Sequence, residues 1–274
     1  MDSDYDYDLK LSFVEFDWVS GIQNFNLKYD LKHYLNNKFK LQYGFNSIYY
    51  KFNPGDIKPT VETSGINPFK LTDKYAFENA IYLDAEHEIS DRLHVSYGLR
   101  FSTFHRLGQD ELDVYENDQA VVFNEDFQIY EKANPIDTQS FKRSDVIAKF
   151  ANLEPRTSLA YQLNSESSVK ASYNRMSQYL HLLSNTNSPT PLDVWTPSGK
   201  YIKPQLLDQY AVGYFKNFNN NTYSLEVESF YKTVKNRIDY IDGANLIANN
   251  AIESIDVDTL AKNAIEKVII TNPD

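Results

Sequence analysis

The sequence has no cysteine among its 274 residues, which excludes disulfide cross-links, thiol chemistry and cysteine-ligated metals. It has no run of about 18 apolar residues either, so a transmembrane helix is excluded while a membrane-crossing strand is not. Glycine is scarce at 9 residues, and no glycine-rich phosphate loop is present. Positive charge is in deficit: 27 Lys and Arg stand against 38 Asp and Glu, for a net charge of −11. With no basic stripe, a nucleic-acid partner is not expected. The opening MDSDYDYDLK has acids where an export signal needs a basic and then an apolar segment. The expectation is an intracellular protein or a chain without its true beginning.

What the sequence does have is aromatic side chains, 21 Tyr and 17 Phe, in a chain of negative mean hydropathy. They fall on alternate positions. In FNLKYDLKHYLNNKFKLQYGFN, Phe25, Leu27, Tyr29 and Leu31 alternate with Asn26, Lys28, Asp30 and Lys32; beyond Asn36 and Asn37, Phe39, Leu41, Tyr43 and Phe45 alternate with polar residues or glycine. Side chains of a strand point alternately to opposite faces, so this is a hairpin with one oily and one wet face. The pattern predicts strands near 9–18, 22–33, 38–50, 75–89, 92–105, 153–163, 167–178, 205–217 and 222–236. They average roughly a dozen residues, against about 5 or 6 in ordinary sheets and about 9 to 11 needed to cross a bilayer at a tilt.

The connections alternate in length. Short breaks are predicted at Ser20-Gly21, Leu35 to Asn37, Ser90-Asp91, Asn164 to Glu166 and Asn217 to Asn221; long loops span 51–74, 106–152 and 179–204. Antiparallel strands put successive connections at opposite ends, which sorts the loops by side as in outer-membrane barrels. A change of phase between Phe13 and Val14 predicts a bulge or a displaced strand boundary. From Ile255 onward, Leu260, Ala264, Ile265 and Val268 have helical spacing, which predicts a short helical tail.

The blocks NLEPRTSLAYQLNSESSVKASYNRMSQYLHLLSN (152–185), PLDVWTPSGKYIKPQLLDQYAVGYFKN (191–217), SLEVESFYKTVKNRIDYIDGANL (224–246) and YAFENAIYLDAEHEISDRLHVSYGLRFSTF (75–104) together resemble the barrel of a TonB-dependent outer-membrane receptor of the Bacteroidetes type. The resemblance covers roughly 9–253. It implies a gated importer with a barrel of about 22 strands filled by an N-terminal plug. It also implies outer-membrane lipid around the barrel, a nutrient ligand of unknown identity, and a TonB-type energy-transducing complex acting through an N-terminal region of the parent protein. An energy-coupling box and a plug are not found ahead of the barrel, so the chain is expected to be a middle portion, with 1–254 as partial barrel and 255–274 as an atypical tail. AIEKVIITNPD (264–274) resembles a plug segment of the same family, which implies a truncated, rearranged or composite chain; chance likeness is the plainer alternative.

The fold class expected is therefore all-β, an antiparallel transmembrane barrel portion with long external loops and short periplasmic turns, and its function is uptake rather than catalysis. A soluble or surface-exposed β-sheet binding protein is the alternative from another class. No nucleophile, base and acid stand at recognisable spacing, and no cofactor is implied. Asp2, Asp4, Asp6 and Asp8 read as a solvated acidic strand end rather than calcium ligands. Glu86, His87 and Glu88 with His94 do not make a metal site, because His87 points away from its two neighbours on a strand. Tyr49, Tyr50 and Phe52 are expected in an upper aromatic girdle, and Tyr29 and Tyr34 in a lower one. Trp195, Tyr179 and His181 are the candidate ligand contacts, with self-packing of the loop as the competing reading. Arg156, the remaining candidate, is expected to order acids of the wet interior more than to bind substrate.

Overall fold

The computed structural model describes residues 2–11, 14–62, 67–108, 111–183, 194–218, 222–240 and 261–272. In chain order the strands are β1 (Asp2–Leu11), β2 (Val14–Asn36), β3 (Phe39–Pro59), β4 (Phe69–Lys70), β5 (Lys74–Ser90) and β6 (Leu93–Leu107). A connecting region follows, with β7 (Glu111–Val114), β8 (Val121–Asn124), β9 (Ile129–Lys132) and β10 (Asp137–Ser140). Then come β11 (Val146–Asn164), β12 (Ser167–Gln178), β13 (Leu180–Leu183), β14 (Val194–Pro197), β15 (Gln205–Phe218), β16 (Tyr223–Tyr240) and β17 (Ala261–Asn272). The long strands build one eleven-stranded antiparallel sheet in the order β1-β2-β3-β5-β6-β11-β12-β15-β16-β17, with β4 set against β3. Each strand pairs with its neighbour in sequence once the short hairpins are set aside.

Three of the tight reversals are written into single residues. Asn36 Oδ1 accepts the Lys38 amide at 2.8 Å, Asn164 Oδ1 accepts the Glu166 amide at 2.9 Å, and Ser90 Oγ accepts the Arg92 amide at 3.4 Å. A short polar side chain that bonds the backbone two residues on mimics a turn. These three turns share one end of the sheet, and the long connections 60–73, 108–145 and 179–204 share the other, as the loop lengths predict.

Register aligns the oily positions. Tyr29, Phe45, Ile81, Phe101 and Leu153 are successive cross-strand partners from β2 to β11, and Leu31, Tyr43, Leu83, Leu99 and Pro155 form the next row. This outer face is bare: Phe25 is 76 % exposed and Ile81 62 % exposed. The opposite, inner face carries Lys40, Asp84, Glu86, Arg100, Glu154 and Arg156, joined into ion pairs. An aqueous fold places these faces the other way round.

Three expectations are corrected, and one left between two alternatives is decided. Ser20-Gly21 is not a turn; both residues lie inside β2, paired with Tyr5 and Asp4 of β1, and the register against β3 slips between Val19 and Gly21. The reversal sits where Leu11 meets Val14, so the phase change at Phe13 and Val14 marks a displaced strand boundary, and residues 12–13 lie outside the described residues. The helical tail is also overturned, since Ala261–Asn272 is a strand paired antiparallel to β16. Its run Val268, Ile269, Ile270, Thr271 is β-branched, which disfavours a helix, and β16 offers an open backbone edge. Residue 255, where the tail was expected to begin, lies outside the described residues. Finally, Tyr50 and Phe52 leave the upper girdle: they are buried on the inner face, while Tyr49 alone of the three has outward parity.

Candidate functional site

The displacement of Tyr50 and Phe52 has a general cause. Toward the long-loop end the sheet exchanges the polarity of its faces. Lys51, His105 and Lys149 take the outward positions there, while Tyr50, Phe52, Ala76 and Phe104 are buried inward in one cluster with Tyr179. Phe150 packs against the same cluster from β11.

What covers this inner face is a hairpin from the loop between β12 and β15. Strand β13 pairs with β14, His181 opposite Thr196 and Leu182 opposite Trp195. The Ser198 amide donates to the Tyr179 carbonyl at 2.7 Å and closes the base of the hairpin. Alternation gives the hairpin two faces: Tyr179, His181, Leu183, Val194, Thr196 and Ser198 are buried against the sheet, whereas Leu182 and Trp195 are more open.

Tyr179 anchors the seated face. Its ring stacks on Phe104 with centroids 4.8 Å apart and planes 4° from parallel. Its hydroxyl accepts from Asn152 Nδ2 at 2.8 Å and lies 2.7 Å from Ser102 Oγ. Because Ser102 donates its single proton to Glu154, Tyr179 is the donor to Ser102. The result is a directed chain, Asn152 to Tyr179 to Ser102 to Glu154. Arg100 carries it on, with Nε 4.0 Å from Glu154 and a terminal nitrogen 3.5 Å from Glu78, which accepts from the Tyr50 hydroxyl at 3.3 Å. Both tyrosines of the cluster are thereby tied to one polar belt.

His181 is 1 % exposed, with Nε2 2.9 Å from Ser198 Oγ and no hydrogen-bond partner for Nδ1. Burial pushes its pKa from 6.5 down to about 4, so the ring is neutral at pH 7. On the facing strand, buried Lys74 donates from Nζ to Thr196 Oγ1 at 3.2 Å. Beyond the hairpin, the Tyr201 hydroxyl donates to the Asp113 carbonyl at 2.6 Å and its ring meets Tyr115 edge-on at 5.3 Å, which ties this loop to the 108–145 connection.

Of the four candidate residues, Tyr179 and His181 come together on the seated face. Trp195 is half-buried on the other side of the hairpin. Arg156 stands apart, further down β11, where Nε donates to Asp84 Oδ1 at 2.6 Å and a second nitrogen to Oδ2. The pair links Arg156 to an acid of the inner face. Ser102, Phe104, Asn152, Thr196 and Ser198 were not singled out from the sequence, and Tyr50 and Phe52 were expected in the girdle rather than here. The doublet Tyr49-Tyr50 was the available signal, since two adjacent aromatics on a strand face opposite ways and mark the place where the oily face changes side. Among the described residues no group of His, Asp and Glu is placed to hold a metal ion. Outward His87 meets Phe39 at 5.0 Å, while inward Glu86 pairs with Lys40 at 2.7 Å.

The chain matches the family described as TonB dependent receptor-like, beta-barrel, over residues 2–268. No curated protein matches it. Among solved structures, FpvA of P. aeruginosa bound to heterologous pyoverdines aligns with TM-score 0.51 at 13% identity, over 97% of this chain and 33% of that one. The copper transporter OprC aligns with TM-score 0.51 at 12% identity, over 82% and 32%. The apoprotein form of the FrpB iron transporter from Neisseria meningitidis (F5-1 variant) aligns with TM-score 0.50 at 15% identity, over 96% and 39%. At such identities the likeness is one of fold, and this chain spans about a third to two-fifths of the length of those structures. The alternation of strands, the sorted loops and the match over nearly the whole chain make it a member of the TonB-dependent receptor-like β-barrel family.

Proposed function

We propose that this chain forms part of the wall of an outer-membrane receptor that takes up a scarce nutrient, with lipid against its outer face. The observation that carries this reading is the continuous bare apolar surface of β2, β3, β5, β6 and β11, backed by an inner face of paired charges. Water on both sides would make such a surface an aggregation hazard; lipid on one side makes it an anchor. The ligand would reach the wall from the long-loop end, where Trp195 offers a ring and the hairpin that bears it covers the cluster around Tyr179. Capture and passage, rather than bond-making, is the chemistry this arrangement supports. Energy would arrive from a TonB-type complex acting on an N-terminal region of the parent protein.

Membrane fractionation tests the reading. The parent receptor should stay in the pellet through alkaline carbonate and enter solution only with detergent. Release by carbonate alone would favour a soluble or surface-exposed binding protein. For the ligand, Trp195→Ala should weaken capture at least several-fold while leaving the protein's thermal unfolding unchanged.

A further inference from the structure

We propose that the outward face at the long-loop end holds a phosphate-bearing lipid headgroup, gripped by Lys149, His105 and Arg143 above the apolar band. The inference rests on the receptor reading above and names the lipid chemistry that its outer face selects.

Charge on the outward face is sorted in a way the composition does not predict. The chain carries 38 Asp and Glu and a net charge of −11, yet the outward positions of β2 (23–35), β3 (39–51), β5 (75–89), β6 (93–107) and β11 (149–163) hold no acid at all. Their basic groups divide by end: Lys51, His105 and Lys149 lie toward the long loops, and only His33 and His87 toward the short turns. On β12, β15 and β16 the outward cations Arg175 and Lys235 again lie toward the long loops, against Lys216 at the other end. The single outward acid of these three strands, Asp208, has both oxygens bonded to Arg175. Long side chains that only reach out of lipid toward water would be placed alike at both ends. An excess of cations at one end matches an anionic layer at that end.

The densest part of this layer is built from three elements. Tyr49, Phe77, His105 and Lys149 are successive cross-strand partners from β3 to β11, four residues beyond the row of Phe45, Ile81, Phe101 and Leu153. Rings at the edge of an apolar band sit at headgroup depth, and here two basic groups continue their row. Lys149 is exposed and pairs with no acid among the described residues, while Nδ1 of His105 has no hydrogen-bond partner. Two residues along β5 from Phe77, Tyr75 is covered by Arg143 of the 108–145 connection. The guanidinium carbon lies 4.3 Å from the ring centroid, and one terminal nitrogen donates to the Tyr75 hydroxyl at 2.8 Å. That bond anchors Arg143 and leaves its other N–H groups without a carboxylate among the described residues. Lys51, the partner of Tyr75, is already neutralised by Asp73 at 3.3 Å.

An ammonium, a ring nitrogen and a guanidinium thus stand on one side of the wall with no acid of their own. Phosphate suits them, because its oxygens accept several charge-assisted hydrogen bonds at once. The lipid source follows from continuity: acyl chains would lie on Phe101 and Leu153 while the phosphate meets the cations beyond them.

The test titrates dioleoyl phosphatidic acid into the detergent-solubilised parent receptor, with bound lipid counted by native mass spectrometry and dioleoyl phosphatidylcholine titrated in parallel. Phosphatidic acid should bind at least about tenfold more tightly, and Lys149→Gln and Arg143→Gln should each lower its affinity roughly fivefold. Lys216→Gln, on the same face at the short-turn end, should leave it unchanged. Equal affinity for the two lipids, or a preference that survives both Lys149→Gln and Arg143→Gln, overturns the proposal. So does displacement of the lipid by millimolar inorganic phosphate, which would make this a site for a free anion. Both substituted side chains are exposed; should one variant fail to fold, the other decides. A receptor that needs detergent but shows no phosphate preference sinks this inference alone, whereas release by carbonate sinks the receptor reading whatever the titration gives.

Discussion

Arg156 on β11 reaches Asp84 on β5 across the whole width of β6, and what lies between them is Gly98, the cross-strand partner of both. A side chain at that position would collide with the Asp84 carboxylate, because a Cβ built on Gly98 overlaps it. Asp30, Gly44 and Tyr82 repeat the arrangement, with the Tyr82 hydroxyl bonded to Asp30 over the glycine between them. Two of the few glycines in the chain thus make room for side chains that span two strands.

Gly98→Val should cost roughly 1 to 3 kcal/mol, because the new methyls displace Asp84 and uncouple the fork. Arg156→Ala should cost less, since the guanidinium is partly exposed and such pairs contribute about 1 kcal/mol or less. Urea unfolding in lipid vesicles measures both. A Gly98→Val loss no larger than that of Arg156→Ala would show that the glycine has no spacing role.

Outer-face substitutions should be sensitive to depth. Leu99 lies in the middle of β6 and Leu225 close to the start of β16 at the short turns. Leu99→Arg should cost roughly 2 to 4 kcal/mol and Leu225→Arg less, while Glu226→Gln on the inner face should be mild. Assembly yield and vesicle unfolding report the order; equal losses at all three positions would refute the face assignment.

Tyr179→Phe keeps the stack on Phe104 and removes the hydroxyl that joins Asn152 to Ser102. The expected loss is about 1 to 2 kcal/mol in the stability of the hairpin, because a half-buried donor, Asn152, and a buried acceptor, Ser102, lose their partner together. Amide exchange in 180–183 should accelerate correspondingly at pH 7.5; an unaltered rate would mean that the ring alone holds the anchor.

The pH dependence of stability has a definite sign. The folded value of His181, about 4, lies below its ordinary 6.5, so the unfolded chain binds more protons between these limits. The neutral ring's contribution is complete above pH 6.5 and is lost as pH falls toward 4. His181→Gln should lack this acid-side loss. A difference between the two proteins that is the same at pH 7.5 and pH 4.5 would exclude it.

Much of the wall was legible because strand periodicity is local. The hairpin of Phe25 to Asn46 appears as predicted, with its oily residues bare on one face. Ser20-Gly21 misled for an equally local reason: the pair has turn chemistry, but Asn53 of β3 and Asp4 of β1 flank Gly21 and keep the strand running. At the other end, Leu260, Ala264, Ile265 and Val268 fit a helix by spacing alone, and the exposed edge of β16 recruits the segment as a strand. Register with a neighbour outweighs a pattern that either structure could satisfy.

Sequence by itself determined the long strands β3, β5, β6, β11, β12, β15 and β16, the end of the sheet at which the connections between them fall, and the face that is oily within the band, since each depends on residues one or two positions apart. Tertiary structure decided that the oily face changes sides toward the long loops, a change at which the Tyr49-Tyr50 doublet only hints. Tyr50, Phe52, Phe104 and Phe150 turn inward because a distant hairpin, 180–183 with 194–197, comes to cover them. The same enclosure makes His181 neutral and Tyr179 a link in a bonded chain. Burial is a property of what lies opposite, and what lies opposite here is about 30 residues away along the chain for Phe150 and about 75 to 130 for the other three.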